Sequence, residues 1–256
     1  MAALIEADSL RKVYQPRVGE PIVAIRDATF SLQKGEFVSV VGPSGCGKTT
    51  LLHILAGLLP KSGGSLTLNG SPINGPRRDI GVVFQTAEML PWRNILKNVL
   101  VPAEVQHLDR RASERRAREL LDLVGLTGFE ERYPSELSGG MQQRVAIARS
   151  LIHDPAILLM DEPFGALDAL TREAMNLELQ RIWLESGKTI LFITHSIPEA
   201  VFLADRVLVM GARPSQVEAV VEVSLPRPRG LALLGEERFG QYTTQIRRYF
   251  NALSEL

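Results

Sequence analysis

The sequence contains a single cysteine, Cys46, so it cannot form an internal disulfide, and this usage is typical of a reducing compartment. It also lacks any stretch of the roughly 18 consecutive apolar residues that a membrane-spanning helix needs. Glu6 and Asp8 precede the first long apolar run, a pattern that does not fit a secretory signal. We therefore expect a protein that works inside the cell and reaches a membrane only through a partner.

Net charge is lacking as well, because 29 lysines and arginines balance 29 aspartates and glutamates. The chain has no overall positive field to attract DNA, RNA or an anionic membrane, so nucleic acid is not expected as a partner. Arginines do cluster at residues 110–118, but glutamates are interleaved with them. This pattern favours a solvated helix face over a nucleic-acid patch.

The composition is that of a globular protein, 45% hydrophobic and 23% charged. The later apolar runs alternate with helical patterns, and those before Gly42 and Asp161 are apolar enough for burial on both faces. We predict an α/β fold with a parallel-sheet core. The apolar runs typical of strands are 22–32, 37–41, 64–68, 80–84, 156–160, 189–193 and 206–210.

The remaining segments differ from this core. Turn-forming sequences at 32–35 and 69–70 join closely spaced strands and predict an antiparallel β subdomain. A charged helical pattern predicts a mostly helical insert at about residues 98–152, and a short tail with a polar helical stretch occupies 211–256. We expect residues 1–256 to form a single domain of the P-loop NTPase type.

Residues 42–49, GPSGCGKT, fit the pattern G-x4-G-K-S/T, directly after an apolar strand and directly before a helical run. Backbone N–H groups of such a loop turn inward around phosphate oxygens, and the following helix adds the positive end of its dipole. Lys48 would reach the β- and γ-phosphates, and the Thr49 hydroxyl would ligate Mg²⁺. A glycine turn between strand and helix is the plainer alternative. The predicted phosphate site consists of Gly42, Pro43, Ser44, Gly45, Cys46, Gly47, Lys48, Thr49 and Thr50.

A second apolar run ends in two acids, Asp161 and Glu162. Asp161 could hold Mg²⁺ through water, and Glu162 could polarise the water that attacks the nucleotide. Two acids at the end of a strand could also form a solvated loop. After a phosphate loop, however, a magnesium and water-activating pair is the interpretation that we favour.

Residues 137–144, LSGGMQQR, open a helical run and offer a second anion-binding helix N-terminus. One nucleotide does not need two such cradles from one chain. We therefore expect Ser138 and Gly140 to serve the γ-phosphate bound by another copy, so that two chains close head to tail over two nucleotides. A simple helix cap is the alternative.

In order and spacing, these motifs resemble the ATP-binding subunits of ABC transporters across nearly the whole chain, and LSGGMQQR is similar to that family's signature. The resemblance implies an ATPase that uses ATP and Mg²⁺. It implies that Tyr14, placed ahead of the first strands, stacks on adenine, and that Asp168 makes a dimer contact. The implied catalytic residues are Glu162, His195, the switch histidine, Gln85, the glutamine-loop residue, and Lys48. The implied metal ligands are Thr49, Gln85 and Asp161. The nucleotide-contacting set also includes Gln85, Ser138, Gly139, Gly140, Gln142 and Asp168.

Short strings at 90–93 and 195–200 are similar to the nitrate, sulfonate, taurine and bicarbonate importer branch of that family. Gly165 stands where a serine is common and Ser196 where an aspartate is frequent, but neither change removes a group that the chemistry needs. The solute itself is not indicated. The resemblance implies three partners: a second copy of the chain, transmembrane permease subunits and, indirectly, a solute-binding protein. It places the chain peripherally at the cytoplasmic face of the inner membrane.

Two other interpretations stay open at this point. A soluble ABC-type ATPase of DNA repair or translation usually carries coiled-coil insertions or two fused nucleotide domains, and this length admits neither. A nucleotide-binding regulator that never hydrolyses is disfavoured by Glu162 and His195. Because Cys46 lies inside the phosphate loop, we also predict that its alkylation blocks ATP binding and that ATP protects it.

Overall fold

The structure is a computed structural model that describes residues 3–254, with side chains described through residue 250. Its strands are β1 Ile5–Tyr14, β2 Ile22–Leu32, β3 Phe37–Val41, β4 Gly63–Leu68, β5 Ser71–Pro72, β6 Ile80–Val83, β7 Ile157–Asp161, β8 Thr189–Ile193, β9 Arg206–Met210 and β10 Ser215–Glu222. Its α-helices are α1 Lys48–Leu55, α2 Ile95–Val105, α3 Arg110–Leu123, α4 Gly139–Leu151, α5 Ala169–Ser186, α6 Ile197–Leu203 and α7 Glu237–Ser254. The chain divides into two compact units: unit 1 runs to Arg77 and resumes at Lys188, and unit 2 is Arg78–Gly187.

Unit 1 is built on a mixed sheet with the strand order β5-β4-β1-β2-β10-β9-β3-β8. Strand β3 lies between β8 and β9 and is parallel to both, with Val40 opposite Ile193 and Leu208. Both β3 and β8 are buried along their whole length, which explains why their residues are apolar except for Ser39 and Thr189. On the other side, β1 pairs antiparallel with β2 and β4. The predicted parallel core and antiparallel β subdomain are therefore confirmed.

Strand β1 is not predicted by the sequence pattern. Its pairing with β2 has register shifts between Ala7 and Leu10 and again after Leu10, and Ser9 has a backbone φ of 49°. Each irregularity shifts the phase of the inward and outward alternation, so the period of two is lost. The placement of Tyr14 ahead of the first strands was wrong, because Tyr14 ends β1 opposite Ile22 of β2.

The predicted tail contains a further strand. Strand β10 pairs in parallel with β2 and antiparallel with β9, so the tail belongs to the sheet of unit 1. Beyond it, the guanidinium of Arg229 is buried and donates hydrogen bonds to five carbonyl groups, including those of residues that end α6; burial lowers its pKa to about 10. Its acceptors are Val201, Phe202, Ala204, Val223 and Leu225. Arg229 thus supplies partners to carbonyls that a helix end leaves unpaired.

Unit 2 contains the parallel pair β6 and β7, with Ile80 opposite Ile157 and Val83 opposite Met160. Helices α2, α3 and α4 pack against one another, in agreement with the mostly helical insert. Helix α4 also packs so closely on β6 that a Cβ atom on Gly81 would lie 2.7 Å from the Ser150 carbonyl oxygen, which only glycine avoids. The predicted domain boundaries stay a prediction.

The arginine cluster lies on α3. Arg118 pairs with Glu114 at 3.0 Å and Arg116 with Glu119 at 3.5 Å, each within the same helix. The opposite face buries apolar side chains such as that of Leu120. The cluster is the exposed helix face that its interleaved glutamates predict. Across residues 3–254, no helix combines the length and apolarity needed to cross a bilayer.

Candidate nucleotide site

The phosphate loop connects β3 to α1 in unit 1. Gly45 and Gly47 have backbone φ values of 74° and 111°, in the left-handed region that glycine adopts without strain. Gly47 is the N-cap of α1, and no cap side chain accepts a hydrogen bond from the first turn. The loop and helix start therefore have the geometry that a bound phosphate can complete through backbone N–H groups.

Lys48 begins α1, and its side chain folds back over the loop. Its Nζ donates hydrogen bonds to the carbonyl oxygens of Gly42 at 2.9 Å and Pro43 at 3.2 Å. These bonds hold a positive charge at the start of the loop, next to the N–H groups that would meet phosphate oxygens. The loop thus combines a helix dipole with a fixed ammonium group.

Tyr14 lies beside the same helix. Its hydroxyl is 3.2 Å from the Thr50 hydroxyl oxygen, and the Lys12 ammonium is 5.1 Å from its ring centroid. The ring remains 39% exposed, so a flat ligand can reach it. The structure therefore brings together the predicted aromatic residue and the predicted phosphate loop.

His195 follows β8 at the end of the sheet where β3 enters the phosphate loop, because the two strands are parallel neighbours. The Thr194 N–H donates to the Val40 carbonyl oxygen at 3.2 Å. The Thr194 hydroxyl accepts from the Ser196 N–H at 3.0 Å and donates to the Glu199 carboxylate. These bonds order the turn that carries His195.

In unit 2, the Gln85 and Glu162 segments lie close together. Asp161 is the buried last residue of β7, and Glu162 follows with a φ of 44°, which is strained for a residue other than glycine. A Cβ atom on Gly165 would lie 3.3 Å from both the Gln85 Nε2 and the Glu162 carbonyl oxygen. The glycine that departs from the common family pattern therefore gives the Gln85 side chain room beside the Glu162 turn.

The LSGGMQQR segment begins α4. Ser138 is the N-cap, and its hydroxyl accepts a hydrogen bond from the Met141 N–H at 3.3 Å. Gln142 Nε2 donates to the Pro134 carbonyl oxygen at 2.9 Å and to that of Leu137 at 3.3 Å. The capping role considered as an alternative is therefore present. The roles toward another copy's nucleotide stay predictions for Ser138, Gly139, Gly140 and Gln142.

Asp168 caps α5. Its carboxylate accepts a hydrogen bond from the Thr171 N–H at 3.1 Å. Hydrogen bonds from the side chain and backbone of Thr171 hold the pKa of Asp168 below its usual value, so the residue is a carboxylate at neutral pH. Its predicted contact with a second copy stays a prediction.

Comparison with known proteins decides the family. The sequence family described as ABC transporter matches residues 25–165, which include the phosphate loop and Asp161. The chain belongs to the ABC transporter family. Its taurine import relative TauB of Rhizobium johnstonii is 43% identical over 260 residues, covering 99% of this chain and 98% of that protein. The nitrate import ATP-binding protein NrtC of Synechococcus elongatus is 43% identical, covering 90% of this chain and 35% of that protein.

A solved structure agrees with this assignment. A dimeric ATP-binding cassette in a post-hydrolysis state, bound to ADP and Pi, matches with a TM-score of 0.74 at 32% identity, covering 89% of this chain and 100% of that chain. The chain is therefore an ABC ATPase with the fold that its motifs imply. Its predicted resemblance to taurine and nitrate import proteins is confirmed.

Arg213 contacts the phosphate loop of this ABC ATPase, and no sequence motif predicts this contact. The Arg213 guanidinium donates a hydrogen bond to the Gly45 carbonyl oxygen at 2.7 Å, although the two residues are 168 positions apart. Arg213 lies in the predicted tail and belongs to none of the motifs. It adds a second positive side chain to the loop beside Lys48.

Cys46 is less accessible than its position in the loop of an ABC ATPase suggests. Its side chain is 1% exposed. Burial raises the pKa of the thiol, and the charge of Lys48 offsets only part of that effect. The thiol is therefore protonated and covered near neutral pH, and its alkylation is expected to be slow.

The predicted magnesium ligands are a hydroxyl, an amide and a carboxylate. All three supply the hard oxygen atoms that Mg²⁺ prefers. Within residues 3–254, no group of three or more histidine, cysteine, aspartate and glutamate side chains is arranged around a metal position. An ABC ATPase with these ligands would share the ion with nucleotide phosphates rather than hold it in an all-protein cage.

Proposed function

We propose that this ABC ATPase energises an importer of a small solute of the taurine, sulfonate or nitrate type. The observation that carries this proposal is its similarity to a taurine import ATP-binding protein over 99% of its length. Taurine bears a sulfonate group and nitrate is a small oxyanion, so the solutes named for these relatives share an oxyanion group. A soluble ATPase of DNA repair or translation is not favoured by these relatives.

The proposed nucleotide contacts begin in unit 1. Lys48 binds the β- and γ-phosphates, and Tyr14 stacks on adenine. The fixed ammonium group at the loop supports the first role, and the partly exposed ring beside Thr50 supports the second. His195 senses the γ-phosphate from the end of β8.

The proposed hydrolytic groups use magnesium and one carboxylate. Thr49, Gln85 and Asp161 would ligate Mg²⁺, which neutralises charge that develops on the phosphates. Glu162 polarises the attacking water. The strained backbone of Glu162 supports this role, because strain of this kind is concentrated at functional sites.

The proposed active form is a homodimer that closes over ATP. Ser138, Gly140 and Asp168 of a second copy would complete the site around Lys48, with Gly139 and Gln142 beside them. The dimeric state of the matching cassette structure supports this arrangement. Closure acts on transmembrane permease subunits at the cytoplasmic face of the membrane, and a separate solute-binding protein delivers the solute.

Transport can be tested with the whole complex. The chain is co-purified with its permease, reconstituted in lipid vesicles and supplied with the solute-binding protein. We expect ATP hydrolysis to rise severalfold with taurine or nitrate and not with a sugar, because the sugar carries no oxyanion group. Equal stimulation by the sugar would contradict the proposed solute class.

The hydrolytic role of Glu162 has its own test. Glu162→Gln keeps the size of the side chain but removes the carboxylate, so we expect turnover to fall by about 100-fold or more while ATP still binds and holds a dimer. Glu185→Gln is the control, because Glu185 is half exposed and forms a surface ion pair with Arg181. Turnover of Glu162→Gln at the wild-type rate would refute the assigned role.

A further inference from the structure

Two loops of unit 2 carry groups with proposed roles in hydrolysis, and one side chain joins them. Gln85 follows β6, and Glu162 follows β7. Gln143 of α4 is 3% exposed and lies between them. Its Nε2 donates to the carbonyl oxygens of Phe84 at 3.2 Å, Gln85 at 3.0 Å and Pro163 at 2.5 Å.

The position of Gln143 requires a hydrogen-bond donor. All three partners of Gln143 are carbonyl oxygens, which accept hydrogen bonds and cannot donate them. Within the part of the chain that the structure describes, the Gln143 Oε1 is buried and has no hydrogen-bond partner. A buried amide that leaves its oxygen unpaired loses stability. The structural contribution of the Gln143 side chain therefore comes from its NH₂ group.

The Gln85 side chain lies beside the same turn. A Cβ atom on Gly165 would lie 3.3 Å from the Gln85 Nε2. The Gly165 N–H donates to the Glu162 carbonyl oxygen at 3.0 Å, which closes the turn after Glu162. The backbone of Gln85 is thus hydrogen-bonded to Gln143, and its side-chain amide lies near Gly165 in the Glu162 turn.

We propose that Gln143 is a positioning residue that fixes the spacing between Gln85 and Glu162. The inference rests on the proposed roles of those two residues. Displacements of about 1 Å can reduce catalysis strongly, so a tether between a metal ligand and a water-activating group affects turnover. Because α4 begins at the Ser138 cap, contact of a second copy with Ser138 would act on both loops through one helix.

Gln143→Met tests the tether, because methionine keeps the length and removes the donor. Gln180→Met is the matched control: Gln180 is also a glutamine of unit 2 and is also 3% exposed. Three measurements are compared in the full-length chain, namely amide hydrogen exchange, ATP affinity and the rate of hydrolysis. The exchange measurement needs no ATP and follows the tether directly.

We expect Gln143→Met to speed amide exchange severalfold at residues 84–88 and 163–167, while Gln180→Met leaves both segments unchanged. We expect kcat to fall by about 10- to 100-fold with the affinity for ATP within about twofold, because the phosphate loop lies in unit 1. A structural role alone would lower stability in both variants without separating kcat from affinity.

The outcomes distinguish the inference from the proposed function. Faster exchange in both loops with an unchanged kcat would overturn the positioning role, as would unchanged exchange. A wild-type complex that does not hydrolyse ATP would overturn the proposed function itself. Faster exchange confined to the two loops, together with a lower kcat, would support both.

Discussion

Two helices of this ABC ATPase begin at glycine-containing motifs, and the N–H groups of their first turns are capped differently. The N-cap of α1 is Gly47, which has no side chain to cap the helix. The N-cap of α4 is Ser138, whose hydroxyl accepts from the Met141 N–H. The start of α1 is thus open to an anion, whereas the start of α4 is already capped within one chain. A helix N-terminus that can bind phosphate needs unclaimed N–H groups, so a second copy's ATP, if it binds there as proposed, would have to compete with or extend the Ser138 cap.

The largest effect is expected when the positive charge of Lys48 is removed from the start of α1. We expect Lys48→Ala to weaken ATP binding by about 100-fold, or roughly 3 kcal/mol, because it loses a charge-assisted contact with phosphate. Lys34→Ala, in an exposed turn of the same unit, is the control. Equilibrium binding of ATP measures both. A change of less than about threefold in Lys48→Ala would contradict the open-site interpretation.

The second test separates capping from nucleotide binding at α4. Ser138→Ala and Asp109→Ala each remove an N-cap in unit 2, since Asp109 accepts from the Ala112 N–H at 2.8 Å at the start of α3. We expect each to lower the free energy of unfolding by about 1 kcal/mol. Only Ser138→Ala should also reduce hydrolysis, by about tenfold. If both variants hydrolyse ATP alike, Ser138 is a cap and nothing more.

The smallest effect concerns the rate of a chemical modification. Because burial raises the pKa of Cys46, its thiolate population near neutral pH is below that of a free thiol. We expect iodoacetamide to label the folded chain more slowly than the unfolded chain, with a rate that rises as the pH increases through the raised pKa. Bound ATP should slow labelling further. Labelling followed by mass spectrometry measures the rate.

The ATP affinity of the alkylated protein is measured next. Once every Cys46 carries the alkyl group, ATP affinity should fall, because the added atoms occupy the interior of the phosphate loop. Full labelling that leaves ATP affinity unchanged would show that the loop tolerates the group.

The sequence predicts most of the buried strands and the turn of the phosphate loop, since mainly apolar runs and the glycine pattern both have a direct physical cause. It does not predict β1, because register shifts around Ser9 hide the alternation. Nor does it predict Gln143 or Arg213. Both bond to backbone carbonyls, at Gln85 and at Gly45, that are 58 and 168 positions away. Every residue type has the same backbone carbonyl group, so the sequence of side chains cannot indicate which carbonyl accepts such a bond.

The position of β10 has a consequence for how the chain is made. Protein synthesis releases the N-terminus first, and strands β1 and β2 leave the ribosome early. Strand β10 lies between β2 and β9, however, and it follows β2 in the chain by more than 180 residues. The sheet of unit 1 therefore cannot close before β10 has been synthesised. Until then the β1–β2 pair keeps an unpaired edge on β2, and such an edge is open to pairing with other chains.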